Sequence, residues 1–328
     1  VTAGHRFLAP AGIEIASADY DAYATALKDA KVVLEADERV ELIRAQLCEL
    51  GAREDRLDAG LIRTCADLVE WPRVVRGSFP EKLAALPEPV LVTSLKVHQK
   101  SFLLYDDAGG VAPGFLSVTN NDLKDEARIR TGYERVIVAR LADAQFFWDE
   151  DRRTPLADRV ETLKTMVFQE KLGTYFDKTQ RVIARVKDVA DAAGVSEAAA
   201  DAARAAELSR TDLTTAMVFE FPELQGTMGR IYAADVDGES DSVSAAIEEL
   251  YMPRGADDDL PARLTGALLS VADKLDTICG CCAVGFAPTG SADPYALRRQ
   301  TLGLLRILIA HDLRVDLDAL VARGLADV

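Results

Sequence analysis

The sequence predicts an α+β fold in which an α/β domain, residues 1–152, precedes a helical domain, residues 153–328. Two observations give this prediction. β-rich runs such as KSFLLYDD and GFLSVTN lie before residue 122, whereas almost every segment after Pro155 has helical periodicity. A chain of strands followed by a chain of helices is typical of α+β proteins or of two adjoining domains. With 328 residues, the chain is long enough for two domains and a sizeable core.

Local periodicity predicts the elements of the N-terminal half. We expect a short strand at residues 12–16, helical structure across residues 19–50, and a helix at residues 61–69 that ends at Trp71-Pro72. Residues 89–121 contain three β-rich runs, VLVTSLKV, KSFLLYDD and GFLSVTN, with a turn sequence, DAGG, before the third. This region is therefore predicted to be a meander of three strands.

The stretch from residue 134 to 182 joins the two halves. Its apolar positions recur at helical spacing up to Trp148, and the acidic run at residues 149–151 then interrupts them. Thr154 is placed as an N-cap with Pro155 at the first helical position. The helix that follows is predicted from the apolar residues Val160, Leu163, Met166 and Val167. Further helices are predicted at residues 198–207, 261–284 and 296–311.

Composition and charge exclude some classes of protein. Hydrophobic residues make up 49% of the chain, which excludes a disordered acidic tail. No apolar run approaches the roughly 20 residues that span a bilayer, and the sequence shows no basic-then-apolar leader. The net charge of −16 counts against a nucleic-acid partner, although a local basic face can exist on an acidic protein. The five cysteines indicate reduced thiols in a cytoplasm rather than a disulfide framework, so a cytoplasmic protein is expected.

Several longer strings are specific to one family. On ARLADAQFFWDEDRRTPL, FQEKLGTYFDKTQRV, DLTTAMVFEFPELQGTMGRIYA and PTGSADPYALRRQTLGLLRIL, the chain resembles the β subunit of bacterial glycyl-tRNA synthetases built from separate α and β chains. KVHQKSF and SVTNNDLKD also match, although Ser101 stands where an aromatic residue is usual. The resemblance covers nearly the whole chain but only a middle portion of that subunit. We therefore expect an excised portion, opening at Val1, without the N-terminal part and the C-terminal anticodon-binding region.

The resemblance implies a fold and a role. The first domain would be similar to the editing-type domain of the phenylalanyl synthetase β chain, and the second to a degenerate HD domain. The chain would be part of an aminoacyl-tRNA synthetase, a ligase of protein biosynthesis, that handles glycine tRNA around its acceptor end. ATP and Mg would lie on the partner α subunit in an α2β2 assembly. No cofactor, catalytic centre, membrane or DNA partner is expected for this chain alone.

The densest basic cluster surrounds Tyr133. Its members are Lys124, Arg128, Arg130, Arg135 and Arg140. One interpretation is a helix face on which cations pair with the interspersed acids Asp125, Glu126 and Glu134. The other is a track that contacts phosphates of tRNA. The residues alone leave both open.

Other candidate contacts also have two interpretations. Lys100, after His98 and Gln99, lies either at a solvated strand edge or against tRNA or the α chain. Arg298 and Arg299, in the first turns of a helix that Ser291 to Pro294 would initiate, either grip phosphate or pair with Asp293. His5 and Arg6 form either a binding pair or a structural contact at a domain edge.

The metal chemistry of HD domains is predicted to be lost. Such a site needs His and Asp ligands from three helices, since imidazole and carboxylate groups together bind divalent metals that activate water. Residues 177–182 contain no His, and Ser209 and Arg210 occupy the place of the His-Asp pair. Only Asp273 is retained, and we expect it to form an internal ion network with Lys274 and Asp276.

Three remaining motifs are interpreted as structural. His311-Asp312 is a literal HD pair, but it follows Asp273 and ends a helix, where His is ordinary. Cys279, Cys281 and Cys282 lack CxxC spacing and are expected to be packing residues. Gly226 and Gly229 are expected to permit close backbone approach.

Two alternative functions stay open. One is a metal-dependent HD-type nucleotide phosphohydrolase, which the few histidines oppose. The other is an assembly scaffold that touches only the α chain, which the acidic charge favours and the basic cluster opposes. The sequence contains neither GxxxxGK[ST] nor a GxGxxG that opens a helix after a strand, so no nucleotide-binding loop is predicted.

Overall fold

The computed structural model describes residues 1–15, 17–290 and 292–326, without the side chain of residue 123. The predicted strand residue Ala16 and the predicted helix initiator Ser291 therefore lie outside the described residues. The chain divides into two compact units, Val1–Phe146 and Phe147–Val328.

The first unit combines short helices with an antiparallel sheet. Its elements, in chain order, are β1 (Thr2–Ala3), β2 (Gly12–Ile13), α1 (Tyr20–Asp29), α2 (Ala36–Glu49), α3 (Ala59–Leu68), β3 (Arg73–Ser78), α4 (Glu88–Thr93), β4 (Ser101–Tyr105), β5 (Val111–Thr119) and α5 (Glu126–Asp151). The last turn of α5 belongs to the second unit. The helical region predicted at residues 19–50 is thus two helices, and Asp19 caps the first by accepting the backbone N–H of Ala22 at 2.9 Å.

The sheet has the strand order β3-β5-β4, and both pairings are antiparallel. Val75 lies opposite Ser117 in one ladder, and Leu103 lies opposite Phe115 in the other. Apolar residues of α2, α3 and the sheet form a shared core, whose fully buried members are Ile43, Leu47, Ile62, Ala66 and Leu116.

The predicted strand meander is wrong at its first strand. The run VLVTSLKV forms α4 and one π-helical turn, Ser94–His98, and the third strand of the sheet is β3 instead. The buried residues of the run VLVTSLKV are Val90, Leu91, Thr93, Ser94 and Leu95. Because this spacing is helical rather than alternating, the run buries its apolar side chains as a helix, despite its β-branched composition.

The second unit is almost entirely helical. Its elements are α6 (Leu156–Arg159), β6 (Val167–Gln169), β7 (Gly173–Thr174), α7 (Tyr175–Ala193), α8 (Ala199–Leu208), α9 (Ala216–Glu220), α10 (Thr227–Asp235), α11 (Asp241–Glu249), α12 (Leu264–Ala283), α13 (Leu297–Ala310) and α14 (Leu317–Ala326). The helix α12 is central, since α7, α8, α11, α13 and α14 all contact it. The long buried helix predicted at residues 261–284 is confirmed.

The stretch that joins the two halves of the chain differs from its predicted structure. α5 continues through the acidic run at residues 149–151, because Asp151 is buried and accepts the backbone N–H groups of Ala216 and Met217, each at 2.9 Å. Pro155, rather than Thr154, occupies the N-cap position of α6, and no side chain caps that helix. The helix predicted through Val167 ends at Arg159, followed by a 3₁₀ segment and the short strand β6. Among the described residues, no helix has the length and apolar character needed to cross a membrane.

Candidate functional site

The basic cluster near Tyr133 lies along α5 and the turn before it. Arg128 and Arg135 are seven residues apart, about 10 Å along the axis, and two turns of helix bring them to the same side. Lys124 precedes them in a 3₁₀ turn, and all three are exposed. Arg130 is exposed on a different side of the helix. We call Lys124, Arg128 and Arg135 the α5 basic face.

Two of the acids between these cations, Glu134 and Asp125, accept hydrogen bonds from groups other than the arginine side chains. Glu134 accepts the backbone N–H and the hydroxyl of Ser78 at 3.0 and 3.2 Å. Asp125 accepts the backbone N–H of Arg128 at 3.3 Å. Arg128, Arg130 and Arg135 form no salt bridge with any residue that the structure describes. Arg128, Arg130 and Arg135 therefore remain available to an external anion.

Two other predicted contacts are held within the first unit. Lys100 has a backbone φ of 51°, and its ammonium donates to the carbonyl of Val97 at 2.7 Å. The Arg140 guanidinium is half-buried and lies 3.0 Å from Nδ1 of His98. Neither side chain lies on the α5 basic face.

His5 is fully buried, which favours its structural interpretation. Its Nδ1 accepts the backbone N–H of Leu8 at 3.1 Å, so Nε2 carries the proton and donates to Oδ1 of Asn120 at 3.0 Å. The same oxygen accepts the backbone N–H groups of Glu70 and Trp71 at 3.0 and 2.9 Å.

Arg298 and Arg299 have different surroundings. The carboxylate of Asp293 accepts the backbone N–H groups of Leu297 and Arg298 at 2.7 and 3.0 Å, at the start of α13, whose N-cap residue is Ala296. Asp293 forms no salt bridge with the side chain of Arg298 or Arg299, so one of the two interpretations left open by the sequence is wrong. The side chain of Arg299 lines a pocket, which we call the basic pocket, whereas Arg298 is exposed outside it.

The basic pocket has a volume of about 450 Å³ and lies entirely in the second unit. Its lining cations are Lys178, Arg210, Arg254, Lys274 and Arg299. Its lining aromatic residues are Phe168, Tyr175, Tyr251 and Tyr295. Among the described lining residues, Asp273 is the one acid.

A buried ion network forms the floor of this pocket. The Lys178 ammonium lies 3.1 Å from carboxylate oxygens of both Asp273 and Asp276, and Arg181 Nε lies 2.8 Å from Asp276. The Arg210 guanidinium contacts Asp273 at 2.7 Å. Lys274 instead donates to the carbonyl of Met252 at 2.8 Å. The expected ion network therefore contains Asp273 and Asp276, but the prediction of Lys274 as their cation is wrong, since Lys178, Arg181 and Arg210 pair with these acids.

Burial and neighbouring charges set the protonation of the pocket. Burial by itself would raise the pKa of Asp273, but Arg210, Lys178 and Lys274 outweigh it and lower the pKa to about 2. Burial lowers the pKa of Lys274 to about 8. Burial also raises the pKa of the Tyr251 hydroxyl, which therefore remains protonated at neutral pH. At neutral pH, Asp273 is an anion beside a larger number of cations.

The arrangement differs from a metal site. The Arg210 guanidinium stands directly against Asp273, where a divalent metal would compete with an ion pair already formed. No group of three or more His, Cys, Asp or Glu residues within the described ranges is placed to hold a metal ion.

The motifs interpreted as structural from sequence include His311 and the three cysteines near the end of α12. His311 follows the last residue of α13, with its Nε2 2.8 Å from the carbonyl of Pro261. Cys279 and Cys281 are buried, and Cys282 is exposed.

The two glycines singled out from sequence support the pocket wall. Gly226 has a φ of 84°, and a Cβ there would meet the Tyr251 ring at 2.5 Å. The backbone N–H groups of Gly226 and Gly229 both donate to the buried Asp212 carboxylate, at 2.6 and 3.2 Å. The expected close backbone approach is confirmed.

The sequence reasoning missed Lys178, Tyr251 and Arg254 as members of a site. A signal for Lys178 was present, because it lies on the apolar face of α7 with the buried residues Val182 and Val189. A lysine on a buried face requires an anionic partner. No comparable local signal marks Arg254, which reaches the pocket from the loop after α11.

Comparisons with known proteins agree with the resemblance. The family model described as glycyl-tRNA synthetase beta subunit matches residues 1–328. Glycine–tRNA ligase beta subunits from Myxococcus xanthus, Geotalea uraniireducens and Geobacter sulfurreducens are 46%, 43% and 42% identical, over 99%, 98% and 99% of this chain. These alignments cover 46%, 47% and 47% of the relatives, so the chain spans about half of their length. With the family model matched from end to end, the chain belongs to the glycyl-tRNA synthetase beta subunit family.

Proposed function

We propose that this chain is a non-catalytic, tRNA-handling part of a cytoplasmic glycyl-tRNA synthetase. It supports ATP-dependent glycylation by a partner α subunit, which holds ATP and Mg in an α2β2 assembly. The first unit serves as the editing-type domain and the second as a degenerate HD-like domain. The names of the relatives, glycine–tRNA ligase beta subunits, support the assignment to this reaction.

The α5 basic face is the observation that carries the RNA part of this proposal. Two exposed arginines, Arg128 and Arg135, share one side of a helix on a chain whose net charge is −16, and the exposed Lys124 precedes them in a 3₁₀ turn. A cation that is already paired with a protein carboxylate contributes less to RNA binding. Arg128 and Arg135 form no such pair with described residues. Each arginine that contacts a phosphate releases counterions when RNA binds, so binding should weaken steeply with salt.

Fluorescence anisotropy of a labelled acceptor minihelix of glycine tRNA tests this proposal. The chain is titrated at several salt concentrations, alone and as Arg128→Ala/Arg135→Ala. The double variant should reduce the slope of log affinity against log salt by about 2, because two phosphate contacts are removed.

The matched control is Arg63→Ala, which removes an exposed arginine that is paired with Asp37 and Asp67. It should leave the salt slope unchanged. Equal effects of the control and the double variant, or no saturable binding by folded wild-type chain, would place the RNA contact outside the α5 basic face.

An assembly scaffold for the α chain is the second candidate function. Leu302, Leu305 and Ile309 occupy one side of α13 and are 63%, 37% and 80% exposed. Exposed apolar stripes of this kind mark protein contacts. Size-exclusion chromatography of the chain with the α subunit should show a complex that Leu302→Lys/Ile309→Lys disrupts. Co-elution of the variant at wild-type affinity would remove this stripe from the interface.

A further inference from the structure

Three arginines of the second unit, Arg210, Arg254 and Arg299, line the basic pocket, and two of them lie near the same ring. The guanidinium carbons of Arg210 and Arg254 lie 6.0 and 5.7 Å from the centre of the Tyr251 ring. The Arg299 guanidinium lies 3.4 Å from the backbone carbonyl of Arg254. Cations that line one pocket repel each other, and an anion bound among them would relieve this repulsion.

The protein itself supplies only part of the compensating charge. Asp273 pairs with Arg210 and Lys178, and Asp276 pairs with Lys178 and Arg181. Arg254 and Arg299 have no salt bridge to any residue in the described part of the chain. Of the described lining cations other than Lys178, Arg210 is ion-paired, whereas Arg254, Lys274 and Arg299 are not. The buried Asp212 carboxyl, whose pKa burial raises, is a further acid near Arg210 and Tyr251.

Two buried polar atoms at this point lack partners. Arg210 is only 8% exposed, yet its Nη1 has no hydrogen-bond partner among the described residues. The Tyr251 hydroxyl is also buried and lacks one. An unsatisfied buried donor costs free energy, and a bound anion would satisfy both donors.

We propose that the basic pocket binds a small phosphate monoester of nucleotide size, which goes beyond the proposed role in tRNA handling. The phosphate lies among Arg210, Arg254 and Arg299, because planar guanidinium groups bind phosphate oxygens in pairs. The organic part lies against the tyrosine walls. A volume of about 450 Å³ exceeds what a phosphate ion fills and falls within the range of small-molecule sites.

The chain binds this ligand without a metal at Asp273. That carboxylate is held by Arg210 and Lys178, so both of its partners would have to leave before it could ligate a cation. The site therefore uses guanidinium groups where a metal-dependent phosphatase uses a metal ion.

Isothermal titration calorimetry of the chain with adenosine 5′-monophosphate, without added metal, tests the proposal. Adenosine and inorganic phosphate are titrated in parallel. The monophosphate should bind saturably, adenosine should bind at least about tenfold more weakly, and inorganic phosphate should compete. No binding of either phosphate compound by folded chain would overturn the proposal, as would equal affinity for adenosine and its monophosphate.

Neighbouring arginines provide a matched pair of variants. Arg299→Ala should weaken binding of the monophosphate about tenfold or more, whereas Arg298→Ala, outside the pocket, should not change it. Both residues are exposed, so neither change should unfold the chain. Equal affinities for the two variants would contradict the proposed site.

The same variants separate this proposal from the tRNA proposal. Arg128→Ala/Arg135→Ala should leave monophosphate binding unchanged, because those residues belong to the other unit. A minihelix with a 5′-phosphate and one with a 5′-hydroxyl distinguish a free ligand from an RNA end. Competition with the monophosphate by the phosphorylated minihelix alone would identify the terminal phosphate of RNA as the source of the ligand. Equal competition by both minihelices would contradict a monoester-specific site.

Discussion

Asp273 is the residue on which the buried charges of the second unit depend. Its carboxylate contacts Lys178 at 3.1 Å and Arg210 at 2.7 Å, and all three side chains are largely buried. A buried ion pair is costly to break from one side, because the remaining charge stays in the interior without compensation. Asp273 is therefore a structural anion that compensates the buried charges of Lys178 and Arg210, with or without a ligand in the pocket.

We expect Asp273→Asn to lower the free energy of unfolding by about 3–5 kcal/mol, because two buried cations lose their shared anion. The loss should depend on pH in a defined way. The pKa of about 2 in the folded state is below the ordinary 3.8, so this stabilisation is fully present above pH 3.8 and lost as pH falls towards 2.

Urea unfolding of the wild type and the variant, from pH 7 down to the acid limit of folding, measures this difference. The gap between the two proteins should be constant above about pH 5 and should narrow below about pH 4. A gap that stays the same or widens in acid would show that Asp273 is not an ionised partner in the folded state.

At the scale of elements, Asn120 joins three segments of the first unit at the end of β5. Its Oδ1 accepts hydrogen bonds from His5 and from the backbone of Glu70 and Trp71. The N-terminal segment and the connection between α3 and β3 are therefore held by one acceptor atom. Such a link between segments distant in sequence has no local signature.

We expect Asn120→Ala to destabilise the chain by about 1–3 kcal/mol, because partly buried donors are left without an acceptor. Asn120→Asp retains an oxygen at the same place and should cost less. Thermal unfolding of the two variants, followed by circular dichroism, gives the comparison. Equal losses for the alanine and aspartate variants would contradict the role of the shared acceptor.

The residues of α4 were predicted as a β-strand from their composition. Val90, Val92 and Val97 made the run β-rich, but its buried positions follow a helical period. β propensity largely reflects packing against neighbours, so tertiary contacts override it in a short apolar run. Packing against neighbouring residues, rather than amino-acid composition, therefore determines the conformation of this run.

At the scale of the whole molecule, the net charge of −16 governs how copies of the chain interact. Near pH 7 this charge keeps copies apart, and it approaches zero near the sequence pI of about 4.7. We expect reversible association as pH is lowered to that value. Light scattering between pH 7 and 4.5 should rise near pH 4.7 and fall again when pH is restored, and a chain that stays monodisperse at pH 4.7 would contradict this account.

The sequence by itself determined the α+β class, the long buried α12 and the membership of the family, because periodicity and specific strings are local properties. It also predicted that Asp273 and Asp276 belong to an ion network, but it named Lys274 as the cation, whereas Lys178, Arg181 and Arg210 pair with these acids. Only the tertiary structure decided that Arg254 and Arg299 line one pocket with Arg210, and that Arg298 lies outside this pocket. It also decided that Arg128 and Arg135 form no salt bridge with described residues. Those facts depend on which side chains approach across long sequence separations, and packing of distant segments rather than local pattern sets that proximity.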